Sequence, residues 1–296
     1  VNVVDNSRVP LDDQPVPDNE VPFLHECYTH TTSDCSDGTM VWGSQVDMTE
    51  FQKFLKLRNA TAETLLTPTA ILAHAVGLAL KKHPAANCRI LGSRIYRFTE
   101  QNVVLPVLSH CGPRLILLRR VDERTYEDIA DELREAVTSR VTNTMEVTLA
   151  ERVARRLPAW LRGIGVRTLL WMANRFRLPM RPITRHLIAA PVIINHFGFR
   201  CAPPLLSYKP SRFGSHSLLL NVTLGPTHPQ PVVRDNTVVV RPVSGLFVRV
   251  DHRTMDGGQL SSFVRTLIEV LEDPGGFEVR ASPADVSSLQ ISQTSD

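Results

Sequence analysis

The second half of the chain most constrains what it can fold into. There "HSLLLNVTL" (216–224), "QPVVRDNTVVVRPV" (230–243) and "GLFVRVDH" (245–252) succeed one another as strand-like runs. Asp235-Asn236 interrupts the middle run with two residues suited to a tight hairpin turn. With "APVIINHFGF" (190–199) ahead of them, these runs require a sheet assembled in part from antiparallel hairpins. Helical periodicity then takes over. In "GQLSSFVRTLIEVLEDP" (258–274), Leu260, Phe263, Val264, Leu267 and Leu271 recur at helical spacing.

The first half interleaves both element types. "LTPTAILAHAVGLALKKHP" (66–84) predicts a helix with Thr67 as N-cap, Pro68 at its first position, lysines in its last turn and Pro84 just beyond. It is apolar nearly all round, so it must be buried, and His74 within it reads as a core histidine with satisfied hydrogen bonds. "MVWGSQVDM" (40–48), "NVVLPVL" (102–108) and "RLILLRRV" (114–121) read as strands. "RTYEDIADELREAV" (124–137) reads as an amphipathic helix, capped by Thr125 and Asp128, with Ile129, Leu133, Ala136 and Val137 on one face. The expected class is α/β, with a mixed, largely antiparallel sheet and flanking helices.

Composition narrows the setting. The 296 residues are 43% hydrophobic and 21% charged, as in globular proteins with a substantial core. A formal charge of +3 is too small to indicate a nucleic-acid partner. The five cysteines (Cys27, Cys35, Cys88, Cys111, Cys201) form no CxxC pair, which points to reduced thiols in the cytoplasm and to neither a disulfide frame nor a metal site. No secretory signal is expected, and no apolar run reaches the ~18 residues of a membrane span. Residues 1–20 hold three prolines, four Asp and one Glu, and are expected to be a poorly ordered arm. A Ser/Gln-rich tail covers 282–296, which leaves 21–281 as one domain.

The chemistry concentrates in "VRVDHRTMDGG" (248–258), where an apolar strand ends in Asp-His-Arg and turns through Asp-Gly-Gly into the last helix. A histidine fixed at a strand end can face a cleft and accept a proton from a hydroxyl or thiol. Asp256, four residues on, can cap the helix or pair with an arginine; Gly257 and Gly258 permit the tight turn. Spacing by itself leaves two readings open: His252 as a general base, or His252 as a surface residue ahead of a capped helix.

The segment "VSGLFVRVDHRTMDGGQLSSFVRTLIEVLEDP" resembles the C-terminal signature, with its HxxxDG motif, of the catalytic domain of 2-oxo-acid dehydrogenase dihydrolipoyl acyltransferases. That family shares its fold with chloramphenicol acetyltransferase. Other segments resemble it in the same order: "AILAHAVGLALKKHPAAN" (70–87), "QNVVLPVL" followed by "TYEDIADEL", and "PVVRDNTVVVRPV". The resemblance implies a chloramphenicol-acetyltransferase-like two-layer fold and a homotrimer in which the histidine of one subunit works across an interface. It also implies direct acyl transfer from a coenzyme A thioester, with His252 deprotonating the acceptor. In the family the oxyanion is held by a serine in a Ser-Asn-Leu-Gly-like strand; here the run is "INHFG" (194–198), so Asn195 takes that place and an amide replaces the hydroxyl. His196 beside it reads as a packing residue or as part of the acceptor pocket, packing being favoured. Lys209, Arg212 and Arg241 are the candidates for the phosphate-bearing end of coenzyme A.

A second departure is an extra stretch at about 141–188, whose segment 151–185 holds nine arginines, one glutamate and two tryptophans. It reads as a solvated helical insertion, a lid over an apolar acceptor, a membrane-surface contact or a dock for an acyl carrier protein. No lipoyl or subunit-binding domain is visible, which favours a standalone enzyme. The expected function is O-acetylation of a small-molecule hydroxyl by acetyl-CoA, such as one on a polyketide or tetronate-type natural product intermediate. The alternatives are transfer to or from a carrier-protein or lipoyl thioester, and a non-catalytic scaffold of the same fold.

Overall fold

The computed structural model describes residues 13–15, 17, 39–61, 65–91, 94–109, 112–138, 190–198 and 220–278, with isolated positions at 158, 161, 164 and 168. In chain order the elements are β1 (Asp13–Pro15), β2 (Thr39–Asp47), α1 (Thr49–Thr61), α2 (Pro68–Lys82), β3 (Cys88–Leu91), β4 (Arg94–Phe98), β5 (Val103–Ser109), β6 (Gly112–Leu118), α3 (Tyr126–Thr138), β7 (Val192–His196), β8 (Leu220–Arg234), β9 (Thr237–Asp251) and α4 (Gly257–Glu272). They build a six-stranded sheet in the order β2-β9-β8-β7-β5-β6 and a three-stranded sheet in the order β1-β4-β3. β7 runs parallel to both β5 and β8, and every other pairing is antiparallel, so the main sheet is mixed as expected.

The main sheet takes its shape from β8 and β9, two 15-residue strands that form one long hairpin. Asp235 and Asn236 close it at φ 49° and 58°, the left-handed pair that a two-residue turn needs to match the right-handed twist of its strands. A register shift between Leu224 and Thr227 marks an irregularity in β8, which sequence reading had divided into separate runs. β7 pairs β8 over Leu220–Leu224, and β2 pairs β9 over Val243–Asp251. Beyond those pairings the hairpin continues as a two-stranded arm. Its residues Val233, Val238 and Val240 are exposed.

Helices cover one face of the sheet. Val192 and Ile194 of β7, Val222 of β8 and Leu246, Val248 and Val250 of β9 share the main core with Ile71, Leu72 and Val76 of α2 and with Phe263, Val264 and Leu267 of α4. Ile193, between Val192 and Ile194, packs instead with Val104, Leu117 and Ala190 in a small separate cluster, because successive strand residues point to opposite faces. α2 is enclosed as its all-round apolarity requires, and Thr67 caps it with Oγ1 accepting from the Ala70 amide. At Gly77 a Cβ would stand 2.6 Å from Val121 Cγ2, so glycine permits that close crossing. Thr125 and Asp128 make reciprocal side chain–amide bonds at the start of α3, as the capping signal implies.

Residues 13–15 of the expected N-terminal arm are β1, paired with β4. α1 went unread because "TEFQKFLKLRNAT" has no clean apolar stripe; Phe51 is buried while Leu57 is exposed. The insertion at about 141–188 and the tail at 282–296 lie outside the described residues, apart from the isolated positions named above.

His74 is the core histidine its sequence context implied, its single N–H donating to one of two backbone carbonyls. It is fully buried, with Nδ1 2.8 Å from the Val121 carbonyl and Nε2 3.3 Å from the Phe277 carbonyl. Burial holds its pKa below the ordinary histidine value, against the raising effect of those carbonyls and of Asp122 and Glu278. Burial also lowers His83 and His196. A lowered native pKa means that the unfolded chain binds more protons, so this stability is complete above about pH 6.5 and is lost as pH falls through the lowered native values. The urea midpoint is therefore expected to drop between pH 7.5 and pH 5.5, and His74→Gln is expected to flatten that drop; an identical slope in the variant would remove His74 as its source.

Candidate active site

The register of β9 puts His252 just past the end of an interior strand of the main sheet. β9 ends at Asp251, and the chain then turns through 252–254 before α4 begins. The turn is tied by the Asp251 carbonyl, which accepts from the Thr254 amide and from Thr254 Oγ1, each at 3.0 Å. Met255 is fully buried, and its carbonyl accepts from His252 Nδ1 at 2.7 Å. A carbonyl can only accept, so Nδ1 carries the proton in the neutral ring and Nε2 carries the basic lone pair. His252 itself is half-buried. The arrangement suits a proton acceptor held in one tautomer.

Asp256 takes the first of its two sequence-level readings, the helix cap. Its carboxylate accepts from the Gln259 amide at 2.8 Å, while the Gln259 side chain accepts from the Asp256 amide at 3.0 Å. This capping box starts α4 and leaves Asp256 exposed. The pairing with arginine belongs to another carboxylate that sequence reading did not single out. Asp251 and Arg253, on either side of His252, are 4% and 8% exposed at their side chains and form a bidentate ion pair, with contacts at 2.9, 3.1 and 2.5 Å.

Asn195 lies on β7, one residue from Ile194 in the helix-covered core, so its side chain belongs to the opposite face. There Nδ2 donates to Asn221 Oδ1 at 3.3 Å, and the same oxygen accepts from Thr223 Oγ1 at 2.9 Å. Asn221 and Thr223, both unmarked by any sequence motif, thus orient the amide so that its nitrogen side is the donor. His196 falls on the helix side, where its Nδ1 meets Thr69 Oγ1 at 3.1 Å.

The structure does not bring Asn195 and His252 together within one chain. Asn195 is in register with Thr223, and Thr223 with Phe247. His252 lies five residues further along, about 16 Å by strand rise, and two strand spacings, about 10 Å, to the side. Arg241 is further still, eleven residues before His252 on β9 or roughly 36 Å of strand; its Nη1 contacts Thr49 Oγ1 at 3.4 Å where β2 passes into α1. Lys209 and Arg212 lie outside the described residues. Among the described residues no group of three or more His, Cys, Asp or Glu is placed to hold a metal, and no helix is long and apolar enough to cross a membrane. Cys88 is buried, and burial pushes its thiol up to about 11, which makes it a poor nucleophile.

Comparison with known proteins yields one family match, to the 2-oxoacid dehydrogenases acyltransferase (catalytic domain), over residues 38–148 and 222–278. The match includes His252 and Asp256 and excludes the β7 strand that carries Asn195. No curated protein matches the sequence. Among solved structures, a probable dihydrolipoamide acetyltransferase from Listeria monocytogenes is 17% identical, with a TM-score of 0.56, over 88% of this chain and 93% of its own. The dihydrolipoamide acetyltransferase (E2p) of Azotobacter vinelandii, studied for the catalytic roles of a serine, a histidine and an asparagine, is 16% identical with a TM-score of 0.58. That alignment covers 94% of this chain and 97% of the other. A chloramphenicol acetyltransferase is 12% identical, with a TM-score of 0.50, over 88% and 99%. The fold is thus the two-layer arrangement common to these acyltransferases.

Proposed function

Because the chain belongs to the 2-oxoacid dehydrogenases acyltransferase (catalytic domain) family, we propose that it moves an acetyl group from acetyl-CoA to the hydroxyl of a small molecule in the cytoplasm, with His252 as general base. The observation that carries this reading is the bond from Nδ1 to the Met255 carbonyl, which leaves the basic lone pair on Nε2 at the end of β9. Nε2 takes the acceptor's proton as its oxygen attacks the thioester carbonyl. The tetrahedral oxyanion forms, collapses, and expels the coenzyme A thiolate, which recovers the proton from the imidazolium. Direct transfer between two bound substrates draws its advantage from proximity.

Asn195 is the proposed oxyanion donor, contributed by a neighbouring protomer. The separation from His252 within one chain supports that division, and so does the hairpin arm, whose exposed valines offer an apolar surface to a second copy. A homotrimer is the proposed assembly. One solved relative bears on it: it forms the cubic core of the pyruvate dehydrogenase multienzyme complex. Relatives acting as dihydrolipoamide acetyltransferases support a second acceptor class, a dihydrolipoyl thiol or a carrier-protein thiol.

Release of free coenzyme A from acetyl-CoA tests the reading, with candidate hydroxyl acceptors, dihydrolipoamide and an acyl carrier protein run side by side and mass spectrometry of each acceptor. Hydroxyl acceptors gaining an acetyl group are expected. Turnover confined to dihydrolipoamide or the carrier would replace the acceptor class, and turnover with none would reject the reaction. Mixing His252→Ala with Asn195→Ala protomers is expected to restore part of the lost rate, because some interfaces then carry both groups intact. No recovery after subunit exchange would overturn the shared site.

A further inference from the structure

We propose that the buried Asp251–Arg253 ion pair is a positioning device that holds His252 in its Nδ1-protonated tautomer. The inference rests on the general-base reading of His252 and adds two residues to it. Four bonds converge on one carboxylate: the Arg253 amide reaches Asp251 Oδ1 at 3.0 Å, Nε reaches both oxygens at 2.9 and 3.1 Å, and Nη2 reaches Oδ2 at 2.5 Å. The backbone of Asp251 binds Thr254 in addition. Residues 251, 253 and 254 thereby form a closed knot around the one residue of the turn whose ring must be aimed.

Physical chemistry argues against a purely stabilising role. Two charges taken out of water lose hydration that their mutual attraction does little more than repay, so a buried pair is poor evidence of stability and better evidence of a fixed geometry. Here the fixed geometry is specific. The backbone between Asp251 and Met255 must curl enough to bring the Met255 carbonyl within 2.7 Å of Nδ1, three residues away in sequence. A bidentate guanidinium, planar and locked at both nitrogens, sets that curl more narrowly than a lysine ammonium can. Without the pair the ring is free to sample the Nε2-protonated tautomer, in which the lone pair points at the fold and not at a substrate. Asp251 and Arg253 touch the base through the backbone and are positioning residues.

The test compares Asp251→Asn, Arg253→Lys and the double variant Asp251→Asn/Arg253→Gln, each confirmed as folded by circular dichroism and by its thermal midpoint. Nitrogen-15 spectra of the neutral His252 ring, read against His252→Gln to assign it, report the tautomer directly. The wild type is expected to hold the Nδ1–H form, and the variants to show a mixture. In acyl-transfer assays the variants are expected to lose kcat by about 10- to 100-fold, as small misplacements of a catalytic group do, with KM for both substrates within about twofold. Arg253→Lys is expected to fall between wild type and the double variant. A folded variant that keeps the Nδ1–H tautomer, or one that keeps full kcat, overturns the proposal. The tautomer readout does not need turnover: an inactive wild type with the expected tautomer shift would end the acyltransfer reading and leave the positioning role standing.

Discussion

Replacing His252 with alanine is expected to lower kcat for acyl transfer by about 10²- to 10⁴-fold, the contribution of a positioned general base. Stability should change little. The side chain is half-buried, and its bond to the Met255 carbonyl is worth about 1 kcal/mol. The distinction matters because a loss of activity through unfolding would lower the thermal midpoint in parallel. Assays at equal folded concentration separate the two. A folded alanine variant turning over at more than a tenth of the wild-type rate would mean that another group takes the proton, and the chemistry assigned to the end of β9 would be wrong.

Phe263→Ala carries the largest stability effect expected of a single substitution, about 3–5 kcal/mol. Phe263 is fully buried on α4, within the core that also holds α2 and the central strands, and its ring meets the edge of His83 with centroids 5.9 Å apart. Truncation removes the transfer free energy of the ring and leaves a cavity that the sheet on one side and α2 on the other restrict from collapsing. Against a typical total of about 5–15 kcal/mol, that is a third or more of what holds the fold. Leu57→Ala is the matched control: the side chain is 73% exposed, and its loss should stay within about 0.5 kcal/mol. Urea titrations of the two variants measure the difference, and similar midpoints would contradict the assigned core.

The sequence exposed the elements whose patterns are self-sufficient. α2 is apolar all round and has cap, proline and lysines in place; the β8–β9 turn carries Asp235-Asn236; α3 has a reciprocal cap. α1 was hidden because it has no clean apolar stripe, and its place is set by its neighbours on the sheet. Residues 88–91 and 94–98 were hidden because the strands are short and lie outside the main sheet. Within the site, His252 was legible from its motif, whereas Asn221 and Thr223 were not: they matter through register with Asn195 across β7 and β8, a relation no local window contains. Asp256 was legible as a helix cap, since an aspartate before Gly-Gly and three residues ahead of Gln259 is a helix-start signal. Asp251 and Arg253 stand beside the histidine in the sequence, but their mutual burial and ion pairing are visible only in the folded chain.

The carbonyl that steadies the imidazole belongs to Met255, immediately ahead of the capping box of α4. Helix ends fray at free energies well below that of global unfolding. When the first turn of α4 opens, the ring loses its holder while the long hairpin and the buried α2 stay in place. The temperature at which such a protein stops working is then set by a fragment of it much smaller than the whole, and resistance to melting is no guide to resistance to inactivation.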